Sequence, residues 1–365
     1  MSTLFHIFNS IQNTLFPWLE EALDPLSEKE QKFVQVLSLM DLETHMKAYR
    51  WKGKGRKRKN RLSMAKAFVA KAIYNFETTD ILIDYLRGCK NTRRLCGWEN
   101  PWQVPSKSTF SRAFAQFSEG NLTQDIHQAM VKEHCGEKLA GHISRDSTAI
   151  AAREKPAKKK SDDSVAQPKR KPGRPRKGVV VAPKPPKRLD LQPTRSLEDN
   201  LKDLPTQCDV GTKKNSKGYK ESWTGYKLHL DCIDGDIPVS TILTSASLHD
   251  SQAAIPLSQM SQERITNLYD LMDSAYDAPQ IHSFSKNLGH KPIIDHNPRR
   301  GEKIYMDPAT KARFAQRSSA ERVNSYLKDN YGGRNIRVKG AAKVMTHLMF
   351  GIIAITATQL FRLLE

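Results

Sequence analysis

Cysteine is scarce and unpaired in this sequence. Its five cysteines, at 89, 96, 135, 208 and 232, form no C-x-x-C pair. That argues against a zinc site or a disulfide framework and leaves the reduced thiols of a cytosolic protein. No internal repeat recurs along the chain. The opening Met1-Ser2-Thr3-Leu4-Phe5 lacks the basic n-region of a signal peptide. Only Val344 to Phe361 approaches membrane-span length. Thr346, His347, Gly351, Thr356, Thr358 and Gln359 interrupt it, so a buried core helix is expected and a membrane partner is not. Acids are in deficit: 39 Asp and Glu against 59 Lys and Arg give a formal net charge of +20. The excess is uneven, since Arg153 to Arg188 holds 14 basic residues and 3 acids, more than half of the net charge. Charge clustered in this way points to a polyanionic partner rather than to solubility alone. With 365 residues and 38% hydrophobic content, there is chain enough for two or three domains and a sizeable core.

Helical spacing dominates the first third. Phe33, Val34, Leu37 and Met40 share a face, and a basic stretch from Lys52 to Lys59 follows. Met64, Phe68 and Ala72 then mark one helix, and Ile81, Leu82, Tyr85 and Leu86 a second. In Val104-Pro105-Ser106-Lys107-Ser108-Thr109-Phe110-Ser111-Arg112-Ala113-Phe114, Pro105 breaks the chain and Ser106 is placed as an N-cap. Phe110, Phe114 and Phe117 form an apolar stripe. Lys107, Ser108 and Arg112 project elsewhere, in the manner of the second helix of a helix-turn-helix meeting DNA.

Residues 155–205 hold nine of the nineteen prolines and read as an extended, flexible insert rather than a folded unit. Within it, Lys171-Pro172-Gly173-Arg174-Pro175-Arg176-Lys177 resembles an AT-hook. Its prolines hold the chain extended, Gly173 allows close approach to the groove floor, and Arg174 and Arg176 can enter a narrow A·T minor groove.

Patterning then turns to period two. Tyr226, Leu228, Leu230 and Cys232 are followed by the turn Asp234-Gly235 and by Ile237, Val239, Thr241 and Leu243, which is a β-hairpin signal. Beyond it a helix over Asp250–Arg264 begins with a capping Asp. A strand over Ile265–Met272, a helix over Asp277–Asn287 closed by Gly289, a strand over Lys291–Asp295 and one long helix over Ala309–Asp329 complete the pattern.

Three acids stand out within this frame. Asp146 and Asp273 fall at or near strand ends, and Glu321 lies on the long helix between Arg317 and Lys328. If the two strands are neighbours, both aspartates reach one sheet edge, and a helix packed across that edge adds Glu321. Two or three carboxylates suffice for Mg²⁺, and two metal ions can cut and rejoin a phosphodiester. Arg317, Glu321 and Lys328, spaced by four and seven, share a helical face, which also permits a plain salt-bridge ladder.

These residues resemble a bacterial insertion-sequence transposase of the DDE type, in the insertion-sequence-four/five group. Pro105 to Arg112 is similar to that group's N-terminal domain. Ser247-Leu248-His249-Asp250-Ser251 is similar to the segment after its third strand, and Asp273-Ser274-Ala275-Tyr276-Asp277 to its second-Asp motif. Arg317-(3)-Glu321-(6)-Lys328 matches its Tyr-(2)-Arg-(3)-Glu-(6)-Lys signature, with Phe314 at the Tyr position. The resemblance implies an α/β fold: an RNase H-like mixed sheet flanked by helices, preceded by an all-α helix-turn-helix-type domain. Residues 1–135 would bind DNA, and 136–365 would be catalytic, interrupted at 153–220 by the basic insert. Asp146, Asp273 and Glu321 would ligate two Mg²⁺ or Mn²⁺ ions, and Arg317 and Lys328 would contact DNA at the transposon end. The implied partners are the terminal inverted repeats and target DNA, met as a homodimer on paired ends in the bacterial cytoplasm at the nucleoid. A non-catalytic DNA-binding regulator or domesticated transposase, and a stand-alone nuclease, are the competing readings.

Overall fold

A computed structural model describes residues 2–51, 53, 55, 59–157, 186–214, 217–299 and 301–364. The AT-hook-like segment with Arg174 and Arg176, and most of the Lys52–Lys59 stretch, lie outside the described residues.

Six strands form one mixed sheet: β1 (Leu139–Ala151), β2 (Asp209–Lys214), β3 (Lys220–Ile233), β4 (Ile237–Ser245), β5 (Thr266–Met272) and β6 (Lys291–Ile294). Their order is β2-β3-β1-β5-β6, with β4 also paired to β3. β3 runs antiparallel to β1, β2 and β4, whereas β5 is parallel to β1 and β6 is parallel to β5. The β3–β4 hairpin turns at the expected place, with Gly235 at φ 83° and Asp236 at φ 59°. Gly225, at φ 152°, is where β3 passes from β2 to β4. A Cβ there would stand 2.1 Å from the Ile150 carbonyl oxygen, so only glycine lets β1 and β3 stay this close.

The helices that build the core and site are α1 (Glu28–Leu39), α2 (Arg61–Ile73), α3 (Lys107–Glu119), α4 (Leu122–Cys135), α5 (Ser251–Gln262), α6 (Ser318–Asn330) and α7 (Ala341–Arg362). α7 is long and apolar enough to span a membrane, but 89% of its most apolar window is buried inside the fold. It packs on α1, α2, α3 and α4 on one side and on β4 on the other. One apolar core therefore runs from the N-terminal helices into the sheet, with Phe68, Phe110 and Phe117 joined to Leu348, Phe350 and Ile353. Phe110, Phe114 and Phe117 face this core as their spacing predicted. β4 is buried along its whole length, with α7 and α5 against it.

Four expectations are corrected. The extended insert expected over 155–205 is folded over its last part. Helices Arg188–Leu191 and Leu197–Asp203 lead into β2, which pairs with β3. Leu201 and Leu204 pack with Ile242, Leu248 and Leu257. The fully buried Gln192 and Asn200 bond to α5 through the Gln252 carbonyl and the Gln259 side chain. A few leucines and buried amides suffice because the sheet and α5 supply the rest of the interface. The long helix over Ala309–Asp329 is broken: Pro308–Phe314 is followed by a 3₁₀ turn at Ala315–Arg317, and α6 starts anew at Ser318. The Ser144 hydroxyl donates to the Gln316 carbonyl at 3.0 Å and pins that turn to β1. Asp250 makes no capping bond; its carboxylate pairs with Lys227 at 2.8 Å. Ser106 stands at the N-cap of α3, but its hydroxyl bonds to those of Ser108 and Thr109 instead of a backbone N–H.

Candidate active site

Alternation along β1 sends neighbouring side chains to opposite faces of the sheet. Arg145 points toward α5. There it forms a two-pronged ion pair with Asp231, its register partner on β3, through Nε and Nη2, each at 2.7 Å. Both groups are buried, and Asp231 also accepts from the Ser261 hydroxyl at 2.7 Å. Asp146 points the other way, toward α6, and its Oδ2 accepts from the Asn324 side-chain amide at 3.0 Å.

Asp146 is therefore not at the end of its own strand, as its sequence setting suggested. It sits in the middle of β1, just beyond the point where the neighbouring strand stops. The parallel register pairs Ser144 with Leu271, and two further residues along each strand bring Asp146 level with Asp273. Asp273 has left the ladder and turned into a 3₁₀ segment, Ser274–Tyr276. Its Oδ1 accepts from the Ala275 backbone N–H at 2.9 Å.

α6 is fixed across this edge at its first turn. The Ser319 hydroxyl donates to the Ile233 carbonyl at 3.3 Å, and Arg322 grips Asp236 with two bonds at 2.8 and 2.6 Å. At its far end a glycine sets the packing: a Cβ on Gly351 of α7 would lie 2.7 Å from Leu327 and 2.8 Å from the Tyr331 carbonyl. The helix so placed carries Glu321, Asn324 and Lys328. Glu321 is half exposed and ion-paired to Arg317.

The electrostatics tie the acids together. Burial lifts the Asp146 carboxyl to about 6, and the negative charges of Asp273 and Glu321 add to the rise. The Ser147 backbone and Arg317 oppose it. Burial likewise raises Asp273, with Asp250 and Asp295 adding and Ala275 N–H and Arg317 opposing. Lys328 is pushed down by burial and by the like charges of Lys213 and Arg334, although Asp146 draws it up. The result is a concentration of hard oxygen donors that repel one another, with the Arg317 guanidinium bearing on all three. Such donors suit a divalent cation. Among the described residues, no three acids, histidines or cysteines yet converge on a single ion position.

Several predicted residues stand elsewhere. Lys107 is exposed on α3 and pairs with Asp80 at 2.5 Å, while Arg112 donates back to the Ser108 carbonyl at 3.2 Å. Two participants at the acids were not read from sequence. Asn324 is buried, its Oδ1 has no hydrogen-bond partner, and it lies three residues beyond Glu321 on the same face, a spacing that could have exposed it. Tyr276 is fully buried with its hydroxyl unpartnered, and its phenol is pushed up by burial and by the charges of Asp250, Asp146 and Asp273. Lys213 reaches Lys328 only because β2 pairs with β3, which no local pattern announces.

A family profile described as "Transposase DDE domain" matches residues 141–357, which span all of the sheet but the first two residues of β1, together with α6 and most of α7. A second, described as "Transposase domain (DUF772)", matches residues 21–116, within the N-terminal helices. Comparison with curated proteins gives no match.

Proposed function

Since the chain belongs to the family of DDE transposases, and is thus a DNA transposase with an RNase H-like catalytic domain, we propose that Asp146, Asp273 and Glu321 are its three catalytic acids. DDE transposases carry out nuclease and transesterification chemistry and generally use divalent metal ions. The observation that carries the assignment is the parallel register that brings Asp146 level with Asp273 beneath α6.

Asp146 and Asp273 supply oxygen ligands from adjacent strands. Glu321 joins them when its side chain leaves Arg317, which is then free to meet a phosphate. Two Mg²⁺ or Mn²⁺ ions would, when bound, activate the attacking oxygen and stabilise the leaving one. Asn324 holds Oδ2 of Asp146 and would orient that carboxylate for a bound cation. Lys328, its proton loosened by burial and by the like charges of Lys213 and Arg334, contacts the DNA backbone. Water attacks the phosphodiester at the element's end, and the freed 3′-OH then attacks target DNA in a second displacement at the same acids.

The N-terminal helices, residues 1–135, serve DNA binding, with Lys107, Ser108 and Arg112 on the exposed face of α3 toward the duplex. The catalytic part, 136–365, carries Arg174 and Arg176 on its basic insert for the minor groove. The terminal inverted repeats are brought together by a homodimer at the nucleoid.

The test is cleavage of DNA bearing the element's ends in Mg²⁺ and in EDTA, with Asn324→Ala alongside wild type. Wild type should cut only with the divalent ion. Asn324→Ala should need about tenfold or more metal for half-maximal cutting, with a matching loss of Mn²⁺ affinity by calorimetry. Metal-independent cutting, or binding without cutting, would refute the proposal.

A further inference from the structure

A cleft of about 460 Å³ opens between the N-terminal helices, the start of α7 and the point where the insert leaves β1. Its floor includes Phe68, Phe114 and Phe350, and its walls bring together Lys71, Lys107, Arg153, Arg337, Lys339 and Lys343. These six cations come from distant parts of the sequence, and only Glu77 and Asp80 line the cleft with opposite charge. Both acids are already engaged, Glu77 by Arg337 at 2.9 Å and Asp80 by Lys107 at 2.5 Å. Arg153, Lys339 and Lys343 are exposed and have no acid within pairing distance among the described residues. Lys71 is buried, held by the Phe76 and Glu77 carbonyls, and pushed down to about 8 by burial and by Arg337. Like charges gathered over an apolar floor destabilise the fold unless an anion joins them.

The cleft is aligned with the acids. β1 carries Asp146, and Arg153 follows two residues past the strand's end, about 23 Å further at ~3.3 Å per residue. α6 carries Glu321 and Lys328, and the residue that caps its end, Tyr331, lies on the cleft wall about 15 Å from Glu321 at ~1.5 Å per residue. Both elements lead from the acids to the cleft.

We propose that this cleft binds the sugar-phosphate backbone of one DNA strand, about four to seven nucleotides from the bond that is cut, at ~3.4 Å per step. The inference rests on the transposase reading and extends it to residues outside the acids and α3. The strand's phosphates meet Arg153, Lys339 and Lys343 at the rim, while the buried Lys71 adds positive charge beneath. Because Lys107 of α3 stands on the same wall, one strand can touch the N-terminal helices and the catalytic sheet at once.

The test uses the full chain and end DNA, with binding measured by fluorescence anisotropy over a range of salt. The triple variant Arg153→Ala/Lys339→Ala/Lys343→Ala should lower the slope of log affinity against log salt by about two to three, at ~0.9 per lost phosphate contact, and weaken binding at least tenfold. A control, Lys132→Ala/Lys286→Ala/Lys291→Ala, removes the same charge from exposed positions away from the cleft. Neutral methylphosphonates placed about four to seven nucleotides from the cut, at ~3.4 Å per step, should weaken wild type and leave the triple variant unaffected. Equal slopes for the triple variant and the control, at equal melting temperatures, would overturn the inference. Loss of cutting in Asp146→Asn alongside such equal slopes would leave the transposase reading standing and remove only the cleft.

Discussion

Asp146→Asn, Asp273→Asn or Glu321→Gln, each made alone, should lower cleavage of end DNA by at least about 10³-fold, or about 4 kcal/mol in the barrier, with end binding little changed. Each change keeps side-chain shape and removes one anionic oxygen from the set. A hard cation loses affinity when a charged ligand becomes a neutral one, whereas the DNA contacts of α3 and the cleft lie on other residues. Asp146→Asn carries a second signature. The Asp146 carboxyl stands at about 6 in the fold against an ordinary 3.8, because burial and the neighbouring acids disfavour its charge. A raised carboxyl binds its proton more tightly folded than unfolded, so its charge weakens the metal-free fold above pH 6, and the penalty fades as pH falls from 6 to 4. The penalty is on the order of 3 kcal/mol at neutral pH. In EDTA at pH 7.5, Asp146→Asn should therefore melt higher than wild type, and the gap should close at pH 4. An active variant, or one that melts lower in EDTA with intact secondary structure, would remove Asp146 from the site.

Breaking the buried Arg145–Asp231 pair should cost about 3–5 kcal/mol, since the surviving charge loses its hydrogen-bonded partner where water cannot replace it, and only the Asp270 carboxylate still attracts Arg145. Asp231→Ala strands the Arg145 guanidinium, 1% exposed, between β1 and α5, and it also takes an acceptor from Ser261. The double variant Arg145→Met/Asp231→Leu replaces both charges with apolar groups and should recover most of that loss. Urea unfolding gives the comparison directly: a loss below about 1 kcal/mol for Asp231→Ala would show that the pair is not the clamp its geometry suggests. Arg145 precedes Asp146 on β1 and meets Asp231 of β3 on the opposite face of the sheet. Wild-type cleavage by a stable double variant would show that the pair supports the fold and plays no part in orienting Asp146.

The sheet was legible where physics acts locally. Period-two runs marked β3 and β4, a short apolar run ending in Asp273 marked β5, and interrupted apolarity marked α7 as a core helix. Of the three acids, Asp273 was read at its strand end, whereas Asp146, also expected near an end, stands inside β1 and meets Asp273 through the parallel register. What escaped depends on distant partners. β2 has one large apolar residue, Val210, and exists because β3 offers it an edge. The break before α6 is made by Ser144, on a strand far away in sequence. The helices at Arg188–Leu191 and Leu197–Asp203 rest on α5 and β4, so a proline count there described the composition and missed the contacts. Asn324 was hidden differently: an amide on a polar helix face looks solvated until the structure puts Asp146 against it.

The central claim is that Asp146, Asp273 and Glu321 share one metal centre, and iron-directed backbone scission tests it most directly. Fe²⁺ bound in place of Mg²⁺, with ascorbate and peroxide, cuts the chain beside the ion. Fragments should end near residues 146, 273 and 321 together, suppressed by excess Mg²⁺ and absent in each single acid variant. Scission confined to other positions, or unchanged by Asp146→Asn, would contradict it.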